Sequence, residues 1–256
     1  MGKCISVANQ KGGVGKTTTA VNLASCLGAC KKKVLLVDLD PQGNATSGVG
    51  VDKDACESSV YDILINSAEA KDVIVKTEHE NLWVCPSSID VAGAEVELVS
   101  AEKREFLLKN ALEKVKNDYD FIIIDCPPSL GLLTLNAFAA SDSIIMPIQC
   151  EYYALEGLSQ LTATIRTVKK SINPSIEIEG VLLTMYDVRT NLSLLVAEEV
   201  KKYYGDRLYK TVIPRNVRLS EAPSYGQPIN YYDKSSKGSK CYLSLAKEVI
   251  KHNKKK

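Results

Sequence analysis

The sequence has no long apolar run, only two histidines and only one tryptophan among 256 residues. No hydrophobic run approaches the ~18 residues that a membrane-spanning helix needs, and the N-terminus lacks the apolar stretch of a secretory signal peptide. The eight cysteines are scattered, with no Cys-x-x-Cys pair and no histidine-rich cluster beside them. Neither metal-site spacing nor a compact disulfide framework is present. These absences predict a cytoplasmic protein whose cysteines stay reduced.

Positive charge is not in excess either. Lys plus Arg number 32 and Asp plus Glu number 31, which gives a formal net charge of +1. Any nucleic-acid binding must therefore come from a local patch and not from a basic chain as a whole. Hydrophobic residues make up 45% of the chain, which is ordinary for a folded domain and argues against wholesale disorder.

Short β-branched runs alternate with helix-like stretches along the chain. Continuous runs of this kind are typical of strands buried on both faces of a parallel sheet. The alternation predicts an α/β fold, a doubly wound and mainly parallel sheet flanked by helices. The predicted strands are Cys4–Ala8, Val34–Val37, Leu82–Cys85, Phe121–Ile124, Ile144–Ile148, Val181–Thr184 and Leu208–Ile213, and the predicted helices lie near 16–30, 103–116, 155–171, 190–204 and 239–251. We interpret 1–256 as one domain, with 252–256 as a frayed basic tail.

A glycine-rich loop follows the first predicted strand and opens the first predicted helix, which is the context that a phosphate-binding loop requires. Glycines let backbone N–H groups turn inward around phosphate oxygens, and the helix directs its N-terminal partial positive charge to the same anion. Lys16 is then placed to reach the β- and γ-phosphates, and the Thr17 hydroxyl to bind Mg²⁺ directly. The loop residues assigned to ATP binding are Lys11, Gly12, Gly13, Val14, Gly15, Lys16, Thr17 and Thr18.

The loop departs from the standard pattern at its first position, where Gln10 replaces glycine and Lys11 follows as a second lysine. If two subunits face each other across their nucleotides, a lysine at the loop entrance reaches the partner's phosphates. Lys11 would then be a cation supplied in trans, as an arginine finger is. The alternative is a solvated loop lysine.

Three stretches of the sequence are similar to one family. Residues 11–18, Lys-Gly-Gly-Val-Gly-Lys-Thr-Thr, resemble the deviant Walker A motif of the ParA/MinD family of P-loop ATPases. Residues 37–44 and 213–224 resemble the short, Soj-type ParA partition ATPases, and the resemblance covers essentially the whole chain. It implies a single P-loop ATPase domain with ATP and Mg²⁺ as cofactors, which closes into an ATP-dependent homodimer.

Acidic residues close two of the predicted strands, at the edge where parallel sheets bind ligands. Asp38 and Asp40 alternate along the chain, so both point to one side. Asp125 closes the hydrophobic run of a Walker B pattern. The resemblance implies that Asp40 orients the attacking water, that Asp38 supports Mg²⁺ and the switch loop, and that Asp125 holds Mg²⁺ indirectly. It gives Lys11, Lys16 and Asp40 as catalytic residues, and Pro214 and Asn216 as contacts to adenine.

The family divides by what the ATP dimer docks on, DNA or a membrane. Residues 242–251 carry an apolar stripe, but no bulky anchor residue follows Ile250, so a helix packed on the domain is the preferred interpretation. Four of the six arginines lie between positions 189 and 218. The resemblance places Arg189 and Arg218 on a basic surface that contacts DNA phosphates without sequence preference. Scattered surface arginines are the alternative.

The function implied by the resemblance is chromosome or plasmid partition. The ATP dimer would bind non-specific double-stranded DNA on the nucleoid, and a ParB-like centromere-binding protein would stimulate hydrolysis and release it. Two alternatives stay open, a MinD-like membrane-docked regulator of the division site and a ParA-like positioner of another cargo.

Overall fold

The computed structural model describes residues 2–151 and 154–254, and a seven-stranded sheet forms its centre. The strands are β1 (Lys3–Val7), β2 (Val34–Asp38), β3 (Val75–Lys76), β4 (Leu82–Cys85), β5 (Phe121–Asp125), β6 (Ser143–Gln149) and β7 (Glu177–Thr184). Their order across the sheet is β3-β4-β2-β5-β1-β6-β7. Every pairing is parallel except that of β3 with β4. The predicted doubly wound, mainly parallel fold is therefore confirmed.

Helices cover both faces of this sheet. The described α-helices are α1 (Lys16–Ala29), α2 (Asn44–Gly48), α3 (Val60–Leu64), α4 (Ala70–Val73), α5 (Val91–Glu97), α6 (Leu107–Glu113), α7 (Leu132–Ala140), α8 (Ala154–Ser171), α9 (Asn191–Tyr204), α10 (Val217–Glu221), α11 (Ile229–Tyr232) and α12 (Lys237–Asn253). The helix predicted near 103–116 is confined to α6. Helix α12 extends to Asn253, into the predicted frayed tail, of which residues 255 and 256 lie outside the described residues.

The hydrophobic core lies in two layers, one on each face of the sheet. Strand β2 shows the division, because Leu35 and Val37 belong to one layer while Val34 and Leu36 belong to the other. All five residues of β2 are buried. The strand therefore has no solvent face on which a polar residue would be favoured, which explains its continuous apolar run.

The predicted strand Leu208–Ile213 is wrong. The segment follows β7 only at its ends, where the amides of Tyr209 and Ile213 donate to carbonyl oxygens of β7 at 3.0 and 2.8 Å. The two amides after Tyr209 donate instead to the carboxylate of Glu248 on α12, at 2.9 and 3.2 Å. These bonds draw the middle of the segment away from the sheet, so no continuous ladder forms.

The C-terminal helix α12 packs on α1 with its apolar stripe inward. Tyr242, Leu245 and Val249 are fully or almost fully buried, and the Tyr242 hydroxyl lies 3.2 Å from the Thr19 hydroxyl. Over residues 2–151 and 154–254, no helix combines the length and the apolar character needed to cross a bilayer. The stripe is thus used in folding, as the packed-helix interpretation requires.

Candidate nucleotide-binding site

The carboxyl ends of β1, β2 and β5 meet at one edge of the sheet and bring the predicted site residues together. Asp38 and Asp125 are register partners at the ends of β2 and β5, and Asp125 also pairs with Val7 at the end of β1. The glycine-rich loop leaves β1 at this same edge and turns into α1. The order of the strands in the sheet therefore places Asp38 and Asp125 beside the glycine-rich loop.

The loop conformation depends on glycine at two positions. Gly13 and Gly15 have φ angles of 73° and 86°, in the left-handed region where other residues are strained. Gly15 is also the N-cap of α1, and no side chain caps the first turn. From β7, the Thr184 hydroxyl donates to the carbonyl oxygen of Val14 at 2.8 Å and holds the loop against the sheet. The open N-terminus of the 14-residue helix α1 thus points into the hollow of the glycine-rich loop, residues 11–18, which suits a phosphate. We call this hollow the phosphate cradle.

Lys16 places a buried ammonium group in this cradle. The residue is 7% exposed, and its Nζ donates to the backbone carbonyl of Lys11 at 3.1 Å. Burial lowers the pKa of Lys16, while the carboxylates of Asp125 and Asp40 oppose the shift. A polyanion bound here would replace one bond to a neutral carbonyl with bonds in which donor and acceptor are both charged.

The side chain of Lys11 turns away from the cradle. Its Nζ lies 3.2 Å from the Glu151 carboxylate at the end of β6, and both side chains are partly exposed. Its backbone amide donates to the side chain of Asn9 at 3.0 Å, and Asn9 donates in turn to the Pro147 carbonyl at 2.7 Å. The Lys11 ammonium therefore pairs with Glu151 within its own chain, and its role in trans stays a prediction.

Asp38 holds the loop after β2 in place. One carboxylate oxygen accepts from the amide of Asp40 at 3.1 Å, and the other accepts from both the amide and the hydroxyl of Thr46 at 2.8 Å. The Thr46 hydroxyl also accepts from the amide of Ser87 at 3.0 Å, which ties α2 to the segment after β4. Burial raises the pKa of Asp38 to about 6 against these hydrogen bonds. Both carboxylate oxygens accept from protein donors, so Asp38 supports the loop, and its role beside Mg²⁺ stays a prediction.

Replacing Thr46 with valine should lower the free energy of unfolding by about 1–3 kcal/mol, because the fully buried Asp38 oxygen loses a donor and the Ser87 amide loses its acceptor. Urea unfolding monitored by circular dichroism would measure the change. Thr46→Ser is the matched control, since it keeps the hydroxyl and removes only a methyl group. Equal loss in both variants would assign the effect to packing and not to the network.

Asp125 is the buried carboxylate that has no such partners. It is fully buried, and neither oxygen has a hydrogen-bond partner at standard geometry within the described residues. Burial and the neighbouring Asp38 raise its pKa well above the ordinary value, and the nearby Thr17 hydroxyl and Lys16 ammonium lower it. A carboxylate left orphaned beside a threonine hydroxyl is a hard oxygen donor set that fits Mg²⁺. In the described part of the chain, no group of three or more His, Cys, Asp or Glu side chains is arranged so that it could hold a metal ion by itself. The residues thus fit an ion that takes most ligands from phosphate and water.

Asp40 lies in the loop between β2 and α2. Its carboxylate accepts from the amide of Gln42 at 3.0 Å and is near enough to raise the pKa of Lys16. Gly43 follows with a φ of 64° as the N-cap of α2. The Lys53 ammonium donates to the Gln42 carbonyl at 2.6 Å and braces this turn. Lys53 was not predicted, because a contact across eleven residues leaves no local signal.

A cavity of about 420 Å³ adjoins the loop and contains both residues predicted to contact adenine. Pro214 and Asn216 line it. Asn216 also caps α10, since its side chain accepts from the Arg218 amide at 2.9 Å. Among the described residues, those that line it are Gly15, Thr18, Thr184, Met185, Ile213, Pro214, Arg215, Asn216, Val217, Leu219, Ser220, Pro223 and Tyr242. Since Gly15 and Thr18 belong to the cradle as well, one ligand can span both spaces.

The two arginines predicted to bind DNA are not among the residues that line the cavity, and they lie on separate segments. Arg189 is in the loop between β7 and α9, with a side chain that is 85% exposed. Arg218 is in α10, with a side chain that is 54% exposed. Each is paired with a carboxylate of its own segment, a feature that the sequence did not reveal.

Comparisons with known proteins agree with this geometry. A family model described as an AAA domain matches residues 2–178. The sporulation initiation inhibitor protein Soj of Bacillus subtilis is 64% identical over 97% of this chain and 98% of that protein. The chromosome partitioning protein ParA of Myxococcus xanthus is 53% identical over 99% of this chain and 89% of that protein. A solved structure, cobyrinic acid a,c-diamide synthase from Mycobacterium smegmatis with bound ATP analog and magnesium, has a TM-score of 0.86 at 39% identity and covers 99% of this chain and 96% of that one.

These similarities extend over nearly the whole chain, as the motif resemblance did. The matched lengths span the parts of the chain that contain the glycine-rich loop, the two acidic strand ends and the cavity. The chain therefore belongs to the Soj/ParA family of chromosome-partitioning P-loop ATPases.

Proposed function

We propose that the protein is a DNA-partition ATPase that binds ATP with Mg²⁺, closes into a sandwich dimer and coats DNA without sequence preference. The observation that carries this proposal is the convergence of Lys16, Thr17, Asp40 and the unpartnered Asp125 at one mouth beside the cavity. The name of the Myxococcus relative, a chromosome partitioning protein, supports partition as the process. The bound ATP analog and magnesium of the Mycobacterium structure support the cofactors.

The reaction proposed is attack of water on the γ-phosphate. The amides of the loop and the N-terminus of α1 bind the phosphates, and Lys16 neutralises the charge that develops on the transferred group. Thr17 would bind Mg²⁺ directly and Asp125 indirectly, and the ion would supply further neutralisation of phosphate charge. Asp40 orients the attacking water. Lys11 of a second copy adds positive charge to the same phosphates.

The surface arginines favour DNA over a membrane as the docking partner. Arginine suits phosphate, and both Arg189 and Arg218 are exposed. The apolar stripe of α12, which a membrane-docked relative would need outside, is buried on α1. The protein would therefore occupy the nucleoid, and a ParB-like centromere-binding protein would stimulate hydrolysis and release the dimer from DNA.

Co-sedimentation would test this function directly. With ATP, the protein should sediment with a DNA duplex and not with anionic phosphatidylglycerol vesicles, and a ParB-like protein encoded nearby should release it. Sedimentation with vesicles alone would favour the MinD-like alternative. DNA binding that no ParB-like protein reverses would favour a positioner of another cargo.

Reversing the charge of either arginine should weaken DNA binding without affecting ATP binding. Because a dimer presents each residue twice, Arg189→Glu and Arg218→Glu should each reduce the log–log salt slope by up to about 1.8, twice the ~0.9 expected per phosphate. The measurement is a salt titration of affinity for two unrelated duplexes, with dimers locked by a slowly hydrolysed ATP analogue. The loss should be equal for both duplexes. The control is Lys71→Glu, which makes the same change in charge at an exposed residue of α4. Unchanged slopes in both arginine variants would place the DNA surface elsewhere.

A further inference from the structure

The guanidinium of Arg189 is already held by a carboxylate of its own loop. Its Nε donates to one oxygen of Asp187 at 2.9 Å, and its Nη2 donates to the other at 2.7 Å. This two-pronged contact is the geometry with which arginine binds a phosphate group. The same contact holds the pKa of Asp187 well below its usual range, so the carboxylate that pairs with Arg189 is negatively charged at neutral pH.

The loop fixes this pair before any ligand arrives. The backbone amide of Arg189 donates to the same Asp187 carboxylate at 3.0 Å. The amide and hydroxyl of Thr190 both donate to the Asp187 carbonyl at 3.1 Å. Thr190 then caps α9 by accepting from the Ser193 amide at 3.3 Å. The start of α9 therefore holds the backbone of Asp187, and the Arg189 amide holds its carboxylate.

Arg218 is held in a comparable way by two carboxylates. Its Nη1 donates to Glu221 at 2.8 Å, and its Nε lies 3.6 Å from Asp233. The Tyr232 hydroxyl also donates to the Glu221 carboxylate at 3.2 Å and keeps it oriented. Each of the two arginines assigned to DNA thus has an acidic partner within its own subunit.

Asp187 accepts from two of the five N–H groups of the Arg189 guanidinium, so a DNA phosphate either displaces this carboxylate or binds the remaining N–H groups beside a second negative charge. Either arrangement weakens phosphate binding relative to an unpaired arginine. The pairs are exposed, and exposed ion pairs contribute little to stability, so displacement by phosphate is feasible. It still costs free energy at every arginine, and a dimer presents four. The competition should therefore lower affinity without blocking binding.

We propose that Asp187, and Glu221 together with Asp233, are intramolecular competitors that determine how strongly Arg189 and Arg218 hold DNA phosphate. This inference rests on the proposed DNA-binding function. The competition lowers the affinity of one pair of arginines for DNA, so that retention depends more strongly on the two sets brought together in the ATP dimer. It also keeps the complex weak enough to be released when the dimer separates.

The test is the DNA affinity of Asp187→Asn in dimers locked with a slowly hydrolysed ATP analogue. Asparagine keeps an oxygen that accepts from the Arg189 amide, so the loop is preserved while the charge is lost. Removing an exposed ion pair at two positions of the dimer should tighten binding about 2- to 30-fold for two unrelated duplexes. Glu69→Gln is the matched control. It removes a carboxylate from another exposed ion pair, 2.7 Å from Lys114, in the segment before the opposite edge strand β3.

A double variant separates competition from a general change in net charge. In the Arg189→Gln background, Asp187→Asn should give no more gain than the Glu69→Gln control gives in the wild type. A full gain in that background, or none in the otherwise native protein, would overturn the inference. Loss of affinity in Arg189→Glu tests the proposed function separately, because that loss is expected whether or not Asp187 competes.

Discussion

Replacing Asp40 with alanine should leave ATP binding intact but reduce the rate of hydrolysis by about two to four orders of magnitude, the range typical of a positioned acid–base group. Asp40 contributes no donor to the phosphates, since its carboxylate accepts from Gln42 and lies in the loop after β2. Lys16→Ala should instead lose nucleotide binding, because the buried ammonium belongs to the cradle. Binding of a fluorescent ATP analogue and release of inorganic phosphate would measure the two properties separately.

Asp40→Asn is the variant that isolates the carboxylate charge. Asparagine still accepts from the Gln42 amide, so the turn before α2 is kept. If Asp40→Asn and Asp40→Ala lose activity equally, the charge orients the water. If Asp40→Asn hydrolyses ATP normally, the alanine variant has only disturbed the loop, and the catalytic assignment to Asp40 is wrong.

The parts of the site that the sequence predicted are those whose geometry is local. Gly13 and Gly15 need left-handed backbone angles that few other residues adopt, so the loop is visible in the sequence itself. Strand order then brings Asp125 next to Asp38, and strand ends in a parallel sheet are recognisable from apolar runs that close on an acid. For these residues, the local sequence pattern is enough to predict where they lie in the fold.

What the sequence did not predict depends on contacts between distant segments. Leu208–Ile213 has the composition of a strand, yet two of its backbone amides donate to the Glu248 carboxylate on α12 and not to a neighbouring strand. Helix α7 was missed because it is apolar on all sides and so has no helical periodicity. The Asp38 network depends on Thr46 and Ser87, which no spacing rule connects to a strand end. In each case, the local sequence is compatible with more than one conformation, and contacts with distant segments select the one that forms.

Replacing Lys11 should separate ADP binding from ATP-driven dimerisation and hydrolysis. Lys11→Ala should bind ADP as the wild type does, because the Lys11 ammonium is turned to Glu151 and away from the cradle. It should lose ATP-driven dimerisation and stimulated hydrolysis, by a factor of up to about 10³–10⁵ if Lys11 acts as an arginine finger does. Size-exclusion chromatography with light scattering and phosphate release would measure the two losses. A stable, active ATP dimer of Lys11→Ala would remove the role in trans.

Mixing two inactive variants distinguishes action in trans from action in cis. In a mixed dimer of Lys11→Ala and Asp40→Ala, the first subunit keeps its own Asp40 and receives Lys11 from the second. One complete site then forms, and hydrolysis should return to about half of the wild-type rate per mixed dimer. If Lys11 instead served its own subunit's nucleotide, neither site of the mixed dimer would be complete and no activity would return. Lys16→Ala in place of Lys11→Ala is the matched control, because the first subunit then lacks its own cradle lysine and the partner cannot replace it. Recovery with Lys11→Ala and none with Lys16→Ala would show that the two lysines of one loop act on different nucleotides.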